Sequence, residues 1–71
     1  MNAMIEMTNL FYRRPGVNAS DETVAAWYRA KGRMHEQLAQ SAGTDAVREL
    51  AYAAASYEHA RRLERRSPQA A

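Results

Sequence analysis

The chain has 71 residues, no cysteine, and a hydrophobic fraction of 46% that is largely alanine, with a mean hydropathy of −0.65. These values favour one small domain with a thin core, and they exclude a disulfide framework and a cysteine zinc site. Ten basic and eight acidic residues give a net charge of +2, which selects no partner by itself, and no apolar run is long enough to span a membrane. We therefore expect a cytoplasmic protein with no membrane partner, in a bacterial or phage setting.

Residues 1–19 are predicted to form a short segment followed by a turn. The apolar residues of this segment are spaced by three and four positions, as on one side of a helix: Met4, Met7, Leu10 and Phe11. Ile5, Thr8, Phe11 and Tyr12 also suit a strand, so a strand is the less favoured alternative. Pro15 and Gly16 disfavour helical geometry and predict the turn.

A first long helix is predicted over residues 20–42. Ser20 is suited to cap it because the serine hydroxyl can accept a backbone N–H, and Asp21 and Glu22 place negative charge in the first turn. Gly43 supplies the left-handed conformation in which helices commonly end.

A second long helix is predicted over residues 44–66, with Thr44 as its cap and residues 67–71 as a tail. Because the connection at Gly43 is short, the two long helices should be antiparallel neighbours. The predicted fold class is therefore all-α, an antiparallel helical hairpin with a short N-terminal segment, completed by dimerisation into a helical bundle.

The predicted core combines the apolar stripes of the two long helices with the N-terminal segment, which packs across the open end. From the hairpin it contains Trp27, Tyr28, Met34, Leu38, Val47, Leu50, Ala54 and Tyr57. From the N-terminal segment it contains Met7, Leu10 and Phe11.

The side chains that could carry chemistry do not converge in this arrangement. In the antiparallel register His35 lies at the level of Leu50, whereas His59 lies near Ala25, so the two histidines cannot share a metal ion. The chain has no cysteine nucleophile, no Gly-rich phosphate loop and little volume for an enclosed pocket. We expect no enzymatic activity, no catalytic residue, no cofactor and no metal.

The predicted function is that of a small, non-enzymatic protein–protein interaction module, such as an adaptor, assembly factor, regulator or inhibitor of a larger protein. Its partners would be a second copy, in a homodimer, and that larger protein. A mixed polar and apolar face on the last helix is the candidate contact surface, because Tyr and His are common at wet interfaces. Its residues are Tyr52, Ser56, His59 and Leu63.

The alternative function is that of a small nucleic-acid-associated regulator that uses the basic end of the hairpin. Guanidinium groups that cluster there could neutralise phosphates. The residues concerned are Arg13, Arg14, Arg61, Arg62, Arg65 and Arg66.

Overall fold

The structure, a computed structural model, describes residues 3–41 and 43–66, except for the side chains of Ala3 and Thr44. The described residues form three α-helices and no strand: α1 spans Ala3–Tyr12, α2 spans Asp21–Ser41 and α3 spans Ala46–Arg66. None of these helices is long and apolar enough to cross a membrane. The predicted capping role of Thr44 and the predicted tail at residues 67–71 lie outside the described part of the chain.

The cap of α2 is formed by Ser20, as predicted. The Ser20 Oγ atom accepts the backbone N–H of Thr23 at 3.1 Å, and the Ser20 carbonyl accepts the backbone N–H of Val24 at 3.0 Å. The first bond satisfies a backbone donor that the helix itself leaves unpaired, and the second is the first bond of the helical ladder. The start of α2 is therefore set by local chemistry.

The turn between α2 and α3 allows the two helices to pack as an antiparallel hairpin. Gly43 has a φ of +59° and begins a short 3₁₀ turn, Gly43–Asp45, that leads into α3. His35 lies at the predicted level, because its side chain meets Glu49, the neighbour of Leu50. Toward the other end, His59 meets Tyr28 rather than Ala25. Arg66 meets Asp21 there, so the helices at this end are shifted by about one turn from the predicted register.

The seam between α2 and α3 is built from small residues, which let the two backbones approach closely. The side of α3 that faces α2 carries Ala53, Ser56 and Ala60, all buried. On α2, Gly32 lies directly beneath the ring of Tyr57: a Cβ atom at Gly32 would be 2.7 Å from the Tyr57 Cε1 atom.

The largest continuous part of the core lies toward the open end of the hairpin. It is formed by Ala25, Ala60 and Leu63, with Val24 and Tyr28 packed against them. Leu63 is the only large side chain among the three buried members, so the seam depends on close backbone approach as much as on large apolar groups.

The rotation of α3 about its own axis differs from the prediction. Three residues that were expected in the core are exposed on the side of α3 away from α2: Val47, Leu50 and Ala54. The small residues of the seam face α2 in their place. Glu49 and Glu64 at the edges of the seam pair with His35 and Arg29 of α2, which favours this rotation.

The other predicted core residues divide into three groups. Met34 and Leu10 are buried, as predicted, whereas Trp27, Tyr28, Leu38 and Tyr57 are partly buried. Met7 and Phe11 are exposed, so the prediction that they pack across the open end is wrong.

The first helix packs on α2 alone and makes no contact with α3. Leu10 is the buried anchor of α1, and the indole N–H of Trp27 donates a hydrogen bond to the Leu10 carbonyl at 2.9 Å. Because α1 turns only this edge toward α2, Met7 and Phe11 remain outside the core. The described chain is therefore layered in the order α1, α2, α3, and it measures 43 × 23 × 18 Å.

Candidate interaction surfaces

The four residues predicted to contact a partner do not form one surface. Ser56 and Leu63 are 5% and 7% exposed, because both belong to the seam with α2, so the prediction that they lie on an accessible face is wrong. His59 is partly buried with its ring 4.2 Å from that of Tyr28, whereas Tyr52 is 48% exposed. Of the four, only Tyr52 is well placed to meet another molecule.

The side of α3 that faces away from α2 is apolar in its first half. We call this surface the outer face of α3; its members, all exposed, are Val47, Leu50, Ala51 and Ala54. It is bordered by Arg48 and, one turn beyond its end, by Glu58 and Arg61. An apolar centre with a charged rim is the usual anatomy of a protein–protein interface.

A larger apolar surface lies on the side of α1 that faces away from α2. We call it the outer face of α1, and its members are Met4, Ile5, Met7, Phe11 and Tyr12. The rings of Phe11 and Tyr12 meet edge to face with their centroids 5.5 Å apart. All members of this face except Ile5 border, together with Thr8, a shallow depression of about 400 Å³.

The basic residues at the end of α3 are largely paired with carboxylates. Arg61 Nη2 lies 2.7 Å from a Glu58 oxygen, and Arg65 Nη2 lies 3.5 Å from the other oxygen of the same side chain. Arg66 donates two hydrogen bonds of 3.2 Å to Asp21. The basic end is therefore partly neutralised by groups within the chain.

The pairing of these carboxylates lowers their proton affinity. The hydrogen bond from Arg66 holds the pKa of Asp21 below its ordinary value, and the hydrogen bond from Arg61 does the same for the pKa of Glu58. The ion pair with Arg29, which links α2 to α3, likewise lowers the pKa of Glu64.

The remaining predicted arginines occupy different places. Arg13 lines a groove of about 350 Å³ between α1 and α2, and Arg14 is exposed in the connection that follows α1. Arg62 and Arg66 border a second shallow depression beside His59. Since α1 does not contact α3, the helices do not pack the two groups of arginines against one another.

Each of the two histidines contacts a tyrosine ring of the opposite helix. His35 lies 5.3 Å from Tyr52 between ring centroids, with the rings tilted, and its Nδ1 atom is 2.7 Å from Glu49 Oε1. His59 meets Tyr28 edge to face, and Tyr28 lies seven residues before His35 along α2. Within the described residues, no group of three or more His, Asp and Glu side chains is placed to hold a metal ion.

Comparisons of the chain with models of protein families, with curated proteins and with solved structures find no match. The features of the described chain that bear on function are therefore the two outer faces, neither of which is predicted above. The composition of α1 is a signal for one of them: seven of its ten residues are apolar, and they cover most of the circumference of so short a helix. Contact with a single neighbouring helix cannot bury all of them.

Proposed function

We propose that the chain is a small, non-enzymatic protein–protein interaction module that binds a larger protein through the outer face of α3 and also associates with itself. The observation that carries the proposal is the exposure of Val47 and Leu50, 80% and 52%, on a side of α3 that no described residue covers. Burying two such side chains against a partner would supply about 1.5–3 kcal/mol each.

The rim of this face favours an acidic partner. Three arginines flank the outer face of α3, and two carboxylates pair with them: Asp45 with Arg48, and Glu58 with Arg61 and Arg65, which leaves the rim net positive. Electrostatic complementarity selects partners and speeds their encounter. We therefore expect the partner to present an apolar strip bordered by carboxylates, as one side of an amphipathic helix does.

Capture of the partner from nuclease-treated lysate, with wild-type and altered chains side by side, tests the proposal. The test variant combines Val47→Gln with Leu50→Gln, which removes the apolar centre without adding charge. The matched control is Val17→Gln, because Val17 is fully exposed in the connection before α2. Far-UV circular dichroism of each variant checks that the helices remain.

The proposal is supported if one protein binds stoichiometrically to the wild-type and control chains. The same protein must bind the Val47→Gln/Leu50→Gln variant with at least tenfold lower affinity. Equal binding by all three chains would remove the outer face of α3 from the proposal. Binding that rises in high salt would contradict the acidic rim of the partner, since salt screens such attraction.

The nucleic-acid function is the second candidate, and the depression bordered by His59, Arg62 and Arg66 favours it. It ranks lower because Arg66 also bonds Asp21, and because Arg61 and Arg65 share Glu58. Titration of labelled single- and double-stranded DNA and RNA at two salt concentrations tests it. Binding that weakens with salt and with Arg62→Gln would support this function, and no binding at low salt would dismiss it.

A further inference from the structure

We infer that a second copy of this chain covers the outer face of α1, forming a two-fold symmetric dimer in which α1 packs against α1. This inference concerns a different surface from the one proposed for the larger partner. It rests on the area, the charge and the shape of the outer face of α1.

The exposed area of this face is at the upper end of the range for a monomer. Its members are exposed by 72% (Met4), 59% (Ile5), 44% (Met7), 71% (Phe11) and 80% (Tyr12). With ordinary residue sizes these fractions correspond to roughly 700 Å² of total surface, which includes some backbone and the Tyr12 hydroxyl. The largest apolar patch on a typical monomer is about 300–600 Å², whereas a standard interface takes about 800 Å² from each partner. The face thus has the size of one half of an interface.

The charge distribution selects a second copy as the occupant. The one charged residue of α1, Glu6, lines the groove on the side of α2, so the outer face of α1 carries no charge. Two copies can therefore meet there without like-charge repulsion. The outer face of α3 differs, because a second copy placed there would bring Arg48, Arg61 and Arg65 against their own equivalents.

The shape of the face also suits a two-fold contact. Phe11 and Tyr12 project from one end of α1, and the shallow depression beside them is bordered by Met4 and Met7. In an antiparallel pair of α1 helices, the ring of Phe11 from each copy meets the methionines of the other. Flexible methionine side chains adapt readily to such a ring.

The dimer would also stabilise α1 itself. An isolated helix of 10 residues is marginal in water, and α1 is attached to α2 mainly through Leu10 and the Trp27 hydrogen bond. Contact with a second α1 buries the remaining side of the helix. We therefore expect the helix content of residues 3–12 to rise with chain concentration.

The test is the molar mass of the full chain by sedimentation equilibrium, from low micromolar to near-millimolar concentration. The wild-type chain is expected to reach twice the monomer mass. Phe11→Asp should weaken dimerisation by at least about 100-fold, because it removes an anchor at each end of the contact and sets a carboxylate against the methionines of the other copy. Val47→Asp is the matched control, since Val47 is similarly exposed on α3, and it should leave the dimer intact.

A wild-type chain that stays monomeric over the whole range would overturn the inference and, with it, the self-association in the proposed function, on which the inference rests, while leaving the binding of a larger protein by the outer face of α3 untouched. A dimer that persists in Phe11→Asp and dissociates in Val47→Asp would place the contact on α3 instead. Disulfide cross-linking tests the same contact in case the Phe11→Asp chain misfolds. Because the chain has no cysteine, Met7→Cys should form a disulfide-linked dimer on mild oxidation and Val47→Cys should not. The reverse pattern would also overturn the inference.

Discussion

Replacing Gly32 by alanine tests the closest contact in the hairpin. A Cβ atom at this position would lie 2.7 and 2.8 Å from the Tyr57 Cε1 and Cζ atoms, whereas carbon atoms normally approach to about 3.5–4.0 Å. The tyrosine ring must therefore move by about 1 Å, and overpacking of this kind costs about 1–3 kcal/mol. The movement also disturbs the 2.8 Å hydrogen bond from the Tyr57 hydroxyl to Glu36.

Helix propensity acts in the opposite direction. Alanine is more favourable than glycine within a helix by about 1 kcal/mol, so the expected net destabilisation by Gly32→Ala is about 1 kcal/mol. For a domain of this size that lowers Tm by about 4–8 °C. Removing the Tyr57 ring should reverse the effect of Gly32→Ala on stability. In a Tyr57→Ala background, Gly32→Ala is expected to stabilise the fold by about 0.5–1 kcal/mol.

Four chains are compared: the wild type, Gly32→Ala, Tyr57→Ala and the double variant. Their urea and thermal unfolding, monitored by circular dichroism at one fixed concentration, measures the effect of Gly32→Ala on stability with and without the tyrosine ring. The fixed concentration matters because self-association would make Tm depend on concentration. Stabilisation by Gly32→Ala in both backgrounds, by the same amount, would refute the reasoning. It would mean that the ring of Tyr57 does not rest on Gly32.

Three further predictions follow from the packing and the ion pairs. Leu63→Ala should destabilise the fold by about 2–4 kcal/mol and Val47→Ala by less than about 0.5 kcal/mol, as measured by urea unfolding. A larger loss of stability for Val47→Ala would mean that α3 faces α2 with the side that carries Val47, as the sequence predicts. Trp27→Phe removes the donor to the Leu10 carbonyl and should speed amide hydrogen exchange in α1 while leaving exchange in α3 unchanged. The pKa of Asp21 is lower in the folded chain than in the unfolded chain, so the ionised Asp21 stabilises the fold above the ordinary pKa of an aspartate. This stabilisation is lost as the pH falls through the folded-state pKa. Asp21→Asn should therefore make Tm fall less steeply below about pH 4.

The parts of the fold that depend on local chemistry could be predicted from the sequence. Ser20 caps α2 through its own hydroxyl, and Gly43 turns the chain because it accepts a positive φ. A short turn between two long helices then leaves little freedom in their relative height. The level at which His35 meets α3 is therefore accessible to sequence reasoning.

The rotation of α3 could not be predicted in this way. Apolar residues occur around the whole circumference of α3, so periodicity offers two faces, one through Val47 and Leu50 and one through Ala53 and Ala60. The choice depends on complementarity between helices, in which a glycine accepts a tyrosine ring and carboxylates reach partners on α2. The residue pattern of either helix alone does not determine such contacts between the two helices.

The candidate surfaces were missed for the same reason. The face that carries Ser56 and Leu63 was assigned to a partner, and the face that carries Val47 to the core, so one rotation exchanged the two. For α1, the spacing of Met7 and Phe11 predicts burial, whereas both side chains are exposed. Spacing identifies an apolar face, but it does not say whether this chain or another molecule covers it.

The separation of α1 from α3 has a consequence for the strength of binding. In a dimer joined through α1, the helices follow the order α3, α2, α1, α1, α2, α3, which places the two outer faces of α3 at opposite ends. Such a particle is bivalent. A partner that repeats its binding site at a matching distance would engage both ends, and the second engagement would benefit from a raised effective concentration. Weak contacts at each α3 would then combine into a high avidity that depends on the α1 contact and disappears in the monomer.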